Sequence, residues 1–166
     1  MKALIALMLL LAANVAQAAP EPSILNPSGL PVPRFVALKS NEINVRVGPG
    51  TRYPIRFIYR RKGLPVQIVE EFAHWRKIAD HKGEGGWVHK GMIEGARTAM
   101  ILDNTQNLYA KPSSESRVVM RAEASVIGTL IACEPDWCEL QIERRKGWIR
   151  KSTIWGVTRE EVLVAD

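Results

Sequence analysis

Between residues 35 and 94 the chain alternates short apolar runs with turn residues: FVALKS, INVRV, RFIYRR, LPVQIVEE, HWRKIAD and GGWVHK. In INVRV, Ile43, Val45 and Val47 fall on one face and Asn44 and Arg46 on the other. That period of two belongs to a strand half-buried in a sheet. In WRKIAD and WCELQI, Ile78 and Leu140 occupy matching core positions, which puts Trp75 and Trp137 on the opposite face. No segment after residue 34 reads as a long amphipathic helix. Several short strands at close spacing predict an all-β chain built as a small barrel or sandwich.

The pattern is written twice. Asn44, Arg46 and Pro49 correspond to Asn107, Tyr109 and Pro112 at a spacing of 63. Trp75 corresponds to Trp137 at 62, and Gly86-Trp87-Val88-His89-Lys90 to Gly147-Trp148-Ile149-Arg150-Lys151 at 61. Two one-residue deletions account for the drift. A unit of about 60 residues buries just enough surface to be marginally stable alone, so two packed units are expected, at 35–95 and 97–156. The linker around Gly95-Ala96-Arg97 is too short for free movement. The tail REEVLVAD, within 157–166, reads either as an added strand or as a frayed end.

The first unit carries Asn-Val-Arg-x-Gly-Pro-Gly (Asn44 to Gly50), an apolar pair beside a glycine turn (Gly63-Leu64-Pro65-Val66), Trp-x-Lys-Ile (Trp75 to Ile78) and Gly-Trp-Val (Gly86 to Val88). In this it resembles a bacterial SH3 domain along nearly its whole length. The second unit keeps the Asn, Pro, Trp and Gly-Trp landmarks but loses the arginine and both glycines of the opening turn, and resembles a degenerate SH3-like copy. The pair is similar to exported tandem SH3-like proteins of Gram-negative bacteria. The resemblance implies two strongly bent β-barrels of five to six strands, each with a long loop after the first strand of the motif and a hairpin ahead of Trp75. It also implies a ligand-recognition role, often for cell-wall peptides, in a groove beside the long loop.

The ends of the chain supply the compartment. Residues 1–18, MKALIALMLLLAANVAQA, combine one lysine, an apolar run and an Ala-Gln-Ala site, the pattern of a cleaved export signal. The apolar core is shorter than the roughly 20 residues that span a bilayer, so no transmembrane segment is expected in the mature chain. Residues 19–34 hold five prolines in sixteen residues and cannot sustain a helix. They predict an extended, semi-rigid leader. Together these features predict a periplasmic or secreted protein, acting as a monomer.

The net charge of +6, with a pI near 9.6, would point to nucleic acid in a cytosolic chain. In an exported one it points instead to cell-wall carboxylates, lipid head groups or acidic protein partners. The basic triplets Arg60-Arg61-Lys62 and Arg144-Arg145-Lys146 are expected at hairpin tips. Cys133 and Cys138 flank Glu134-Pro135-Asp136, a hairpin signature. An oxidising compartment favours a bridge between them. A zinc site would need two further ligands, and no histidine lies nearby. No cofactor or metal is expected.

NVRVGPG is a glycine-rich loop after a strand, but it lacks the Gly-Lys-Ser/Thr ending and the following helix of a phosphate loop. Pro54 disfavours a helical conformation at Tyr53. The histidines at 74, 81 and 89 sit in no nucleophile, metal or acid-base pattern, and no length remains for a catalytic domain. The expectation is a non-enzyme. Arg46, Tyr53, Trp75 and Trp87 are the candidate ligand-binding residues: aromatic rings give flat apolar area at low entropy cost, and a guanidinium grips a carboxylate with two hydrogen bonds. The expected ligand is a cell-wall peptide or glycan, whose stem peptides carry carboxylates. An envelope protein is the alternative, and a hydrolase using Cys133 or Cys138 a third reading that requires a free thiol.

Overall fold

A computed structural model describes residues 25–164; the export-signal reading of residues 1–18 lies outside them. The first unit contains strands β1 (Arg34–Leu38), β2 (Ile43–Arg46), β3 (Ile55–Tyr59), β4 (Pro65–Phe72), β5 (Trp75–Ala79), β6 (Gly85–His89) and β7 (Ile93–Glu94). The second contains β8 (Thr98–Ile101), β9 (Gln106–Tyr109), β10 (Val118–Ala122), β11 (Ile127–Cys133), β12 (Trp137–Ile142), β13 (Arg145–Arg150) and β14 (Ile154–Trp155). A single 3-10 turn precedes the last strand of each unit, at Lys90–Met92 and Lys151–Thr153.

Each unit is one antiparallel seven-stranded sheet, ordered β3-β2-β6-β5-β4-β1-β7 and β10-β9-β13-β12-β11-β8-β14. The second order is the first advanced by seven, so the duplication seen in the sequence is also a duplication of topology. It holds residue by residue: Arg46 pairs with Trp87 as Tyr109 pairs with Trp148, and Trp75 pairs with His89 as Trp137 pairs with Arg150. The excess over five or six strands comes from the two-residue closures β7 and β14 and from β1 and β8, which run ahead of the motif.

The inward faces make two cores. Leu38, Ile43, Val45, Val66, Ile68, Ile78 and Val88 fill the first, and Ile101, Leu108, Leu130, Leu140 and Ile149 the second. Ile78 and Leu140 are both fully enclosed, at 2% and 0% exposure. Val47 departs from the alternation and is 55% exposed. It follows the end of β2, where the loop to Pro54 begins, and the register shift beside it puts the extra residue, Arg56, on β3. Val69 is turned outward by a bulge on its own strand: the register shifts between Ile68 and Glu70, and one extra residue reverses the faces of everything after it.

The barrels are packed together. Met100 of β8 lies in the first barrel's core, and Ile127 packs against it. Phe35 and Trp155 meet edge to face at 5.0 Å. Trp155 Nε1 donates to the Pro65 carbonyl at 3.1 Å, and Thr98 Oγ1 donates to the Gly63 carbonyl at 2.8 Å. Arg61, in the first basic triplet, donates across the junction to the Ser125 carbonyl. That residue is part of the interface, whereas Arg144, Arg145 and Lys146 are exposed.

Both ends of the described chain are anchored by acids, Glu71 buried and Glu161 half-buried. Residues 25–34 turn at Asn26, whose carbonyl accepts from Gly29 N, and dock on Glu71. That carboxylate accepts from Ser28 N at 3.1 Å, Ser28 Oγ at 2.8 Å and the Arg34 guanidinium, and is ion-paired with Arg76 Nε at 3.1 Å. Burial by itself would raise the Glu71 pKa; the hydrogen bonds from Arg34 and Ser28 outweigh it and hold the group below its ordinary value. At the other end, Arg97 pairs with Glu161, and Leu163 exchanges backbone hydrogen bonds with Cys133 at 2.8 and 3.0 Å. The tail therefore returns alongside the end of β11.

Candidate functional site

The first candidate site is a cleft of about 320 Å³ on the outer face of the first barrel. Period-two geometry builds it. Arg46 on β2 pairs with Trp87 on β6, Trp87 with Lys77 on β5, and Lys77 with Glu70 on β4, so these side chains form a row across the sheet. Val47, Val69 and Trp87 give the cleft apolar lining, and Arg46, Arg56 and Lys77 give it cationic lining. Trp87 is 8% exposed, so its indole is floor rather than rim. The two outward turns at Val47 and Val69 are what place apolar side chains here.

One end of the cleft is shaped by the turn from Asp80 to Gly85. Asp80 Oδ1 accepts from Lys82 N at 2.9 Å and Glu84 N at 3.0 Å, and Oδ2 accepts from the Tyr59 hydroxyl at 3.0 Å. Burial, reinforced by the Asp80 charge, pushes the Tyr59 pKa well up, so the phenol stays a donor.

The loop from Val47 to Pro54 borders the cleft, and Arg46 organises it. Arg46 Nη1 donates to the carbonyls of Thr51 at 3.1 Å and Tyr53 at 2.7 Å. These two bonds use both hydrogens of Nη1, leaving the remaining guanidinium donors for a ligand. The Tyr53 ring lies against Gly48 and Gly50: a Cβ at Gly48 would come within 2.5 Å of Tyr53 Cδ1, and one at Gly50 within 3.3 Å of Cδ2. Arg52 covers the ring from 5.1 Å.

The second barrel shows what the glycines are for. Its loop keeps the same backbone hydrogen bonds. Gly50 N to Gly48 O, Tyr53 N to Gly50 O and Val47 N to Pro54 O recur as Ser113 N to Lys111 O, Ser116 N to Ser113 O and Ala110 N to Arg117 O. Lys111 and Ser113 therefore support this turn as well as Gly48 and Gly50 do, and neither glycine has a positive φ. What differs is the residue at the Tyr53 position, which is Ser116. With no ring to seat, the glycines are dispensable. Arg46, Gly48, Gly50 and Tyr53 are one packing unit, and the second copy has exchanged all of it.

Of the four residues expected to bind ligand, the structure brings Arg46 and Trp87 together in the cleft and puts Tyr53 in the bordering loop. Trp75 is on the same sheet face but beyond the cleft, with its ring 5.7 Å from His89. Arg56 and Lys77 escaped the sequence reading. Lys77 was within reach, two residues from Trp75 on the same face; Arg56 was not, because nothing in RFIYRR says which neighbour its strand has.

In the second barrel the corresponding row is Tyr109, Trp148 and Glu139, and Trp137 lies beside it. Tyr109 meets Trp137 edge to face at 5.7 Å, and the Arg150 guanidinium lies 4.3 Å from the Trp137 ring centroid. Cys133 and Cys138 stand opposite each other in register and are disulfide-bonded. Among the described residues there is no group of three His, Cys, Asp or Glu placed to hold a metal, and no helix long and apolar enough to cross a membrane.

The family described as bacterial SH3 domain matches the chain twice, over residues 39–95 and 103–156. No match is found among curated proteins. Among solved structures it is similar to NlpC1 from Trichomonas vaginalis (15% identity, TM-score 0.33, covering 76% of this chain and 47% of that one). It is also similar to NlpC2 from the same organism (13%, TM-score 0.35, 75% and 48%) and to an NlpC/P60 family protein from Bacillus cereus (12%, TM-score 0.32, 73% and 55%). The chain spans about half the length of these structures, and similarity at this level carries no conclusion about activity.

Proposed function

The chain belongs to the bacterial SH3 domain family, and from that premise we propose that it is a non-catalytic binding module of the cell envelope whose first barrel recognises peptidoglycan through the carboxylates of its stem peptides. The observation that carries this is the cleft at Arg46 and Trp87. Arg46 and Arg56, with Lys77 in an exposed ion pair with Glu70 at 3.2 Å, line it beside apolar and aromatic side chains, a combination suited to a short peptide with acidic groups. Its volume lies at the lower end of the roughly 300–1,000 Å³ of small-ligand sites. Export to the periplasm or cell exterior, read from residues 1–18, and the Cys133 to Cys138 disulfide support that location. The non-catalytic reading is supported by the same disulfide, which leaves no thiol for a cysteine nucleophile, and by the exposure of His74, His81 and His89.

Co-sedimentation of the purified protein with insoluble peptidoglycan tests the proposal. Wild type should pellet with the wall, and Arg56→Ala with Lys77→Ala should stay in the supernatant. Arg46→Ala is the weaker probe, because it also releases the loop. Wild type remaining in the supernatant would overturn the proposal. A protein-interaction adaptor is the second reading, favoured by Val47 and Val69, apolar cleft residues that are 55% and 41% exposed. Crosslinking in cells would then capture an envelope protein rather than wall.

A further inference from the structure

A second cleft, of about 410 Å³, lies on the second barrel between the β11–β12 hairpin, the 3-10 turn at Lys151–Thr153 and the returning tail. Arg150, Lys151 and Arg159 line it, with Asp136 as the one acid. None of the three cations forms an ion pair among the described residues. Lys151 is held in place: it is 7% exposed, and its Nζ donates to the carbonyls of Glu161 at 2.7 Å and Arg159 at 3.2 Å. An ammonium has three donors, so one is left over. Arg150 is steadied by its position over Trp137.

The first barrel is built differently at this place. Its equivalent residue, Lys90, is exposed, because there the chain runs on into the second barrel rather than folding back as a tail. Of the cleft's charge, Lys151 matches Lys90 across the duplication, whereas Arg150 stands where the first copy has His89 and Arg159 comes from the tail.

We propose that this cleft is a separate ligand site that takes the free carboxylate of a short peptide, with Arg150, Lys151 and Arg159 as its cationic wall. Pro135, Ile154 and Val157 form the apolar part of the lining, suited to small aliphatic side chains. Asp136 favours a peptide over a bare phosphate because it can accept from a peptide's amide N–H groups. The site is independent of the cleft at Arg46 and Trp87, and either can fail without the other.

The test is an NMR titration of the purified, isotope-labelled protein with acetyl-Ala-Ala bearing a free carboxylate, with acetyl-Ala-Ala-amide, and with inorganic phosphate. The expected result is shifted amide signals at Asp136, Ser152 and Arg159 with the carboxylate peptide alone. Arg159→Ala, at an exposed position with no side-chain bond among the described residues, should weaken binding at least tenfold, and adding Arg150→Ala should abolish it. Lys111→Ala, which removes an exposed charge outside the cleft, should bind as wild type. The signals of each variant report directly whether it is folded. Equal shifts with the amide, equal or stronger shifts with phosphate, an unaffected Arg159→Ala, or a tenfold loss in Lys111→Ala would each overturn the proposal.

Discussion

Replacing Gly48 by alanine asks whether the glycines of the first loop exist to seat Tyr53. The new Cβ would lie 2.5 Å from Tyr53 Cδ1 and 2.6 Å from Cγ, well inside the roughly 3.5–4.0 Å of favourable carbon contacts. The ring must leave. Forced overpacking costs about 1–3 kcal/mol. Against that, Gly48 has no positive φ, and a glycine-to-alanine change at a permitted backbone position stabilises by about 0.4–1 kcal/mol through the unfolded chain. The balance is a loss of about 1–2 kcal/mol in the native background. In a Tyr53→Ser background, which copies Ser116, the clash is gone and Gly48→Ala should become neutral or stabilising by about 0.5 kcal/mol. Urea unfolding of wild type, both single variants and the double variant, followed by tryptophan fluorescence, gives the coupling directly. Additivity of the two changes to within about 0.5 kcal/mol would refute the argument that Gly48 and Tyr53 are one unit.

Glu71→Ala leaves Arg76 and Arg34 without their buried partner and should cost about 3–5 kcal/mol, with residues 25–34 becoming protease-accessible in limited digestion. Because Glu71 and Glu161 both titrate below their ordinary value of 4.5, their stabilisation is present above that pH and is lost as the pH falls through the lowered folded values. Acid should therefore loosen both anchored ends, seen as faster amide exchange near Ser28 and Leu163 below about pH 4.5. Reducing the Cys133 to Cys138 bridge, which closes a very short loop, should lower stability by only about 2 kcal/mol, measured as a urea-midpoint shift with dithiothreitol. Trp155→Ala removes the edge contact with Phe35 and the hydrogen bond to Pro65. It should cost about 2–4 kcal/mol and split thermal unfolding into two transitions by calorimetry; a single unshifted transition would mean the interface does not couple the barrels.

The alternation in INVRV and the paired positions Ile78 and Leu140 were enough to read strands, core faces and duplication, because period two and a constant offset survive sequence change. The β11–β12 hairpin was legible from a short turn between two strand-like runs. What escaped was decided by bulges and by distant partners. After the register shift at Ile68, Glu71 turns into the barrel and Val69 out of it, and nothing in PVQIVEEF announces the extra residue. Pro54 and the glycines marked the loop, but its conformation could be separated from its packing only when the two copies were laid side by side. Arg46 and Trp87 were candidates through the motif they belong to and the chemistry of their side chains, and the structure joins them in one register; Arg56 and the tail cation Arg159 reach their clefts from elements whose neighbours only the fold supplies.

Wall recognition by the first barrel's outer cleft, as proposed, is best tested by an NMR titration of the protein with a purified stem peptide carrying its free carboxylates. The amides of Arg46, Val47, Lys77 and Trp87 should shift together and saturate, and Arg56→Ala should weaken the response by at least tenfold, about 1.4 kcal/mol. Shifts confined to the second barrel, or none at saturating peptide, would contradict it.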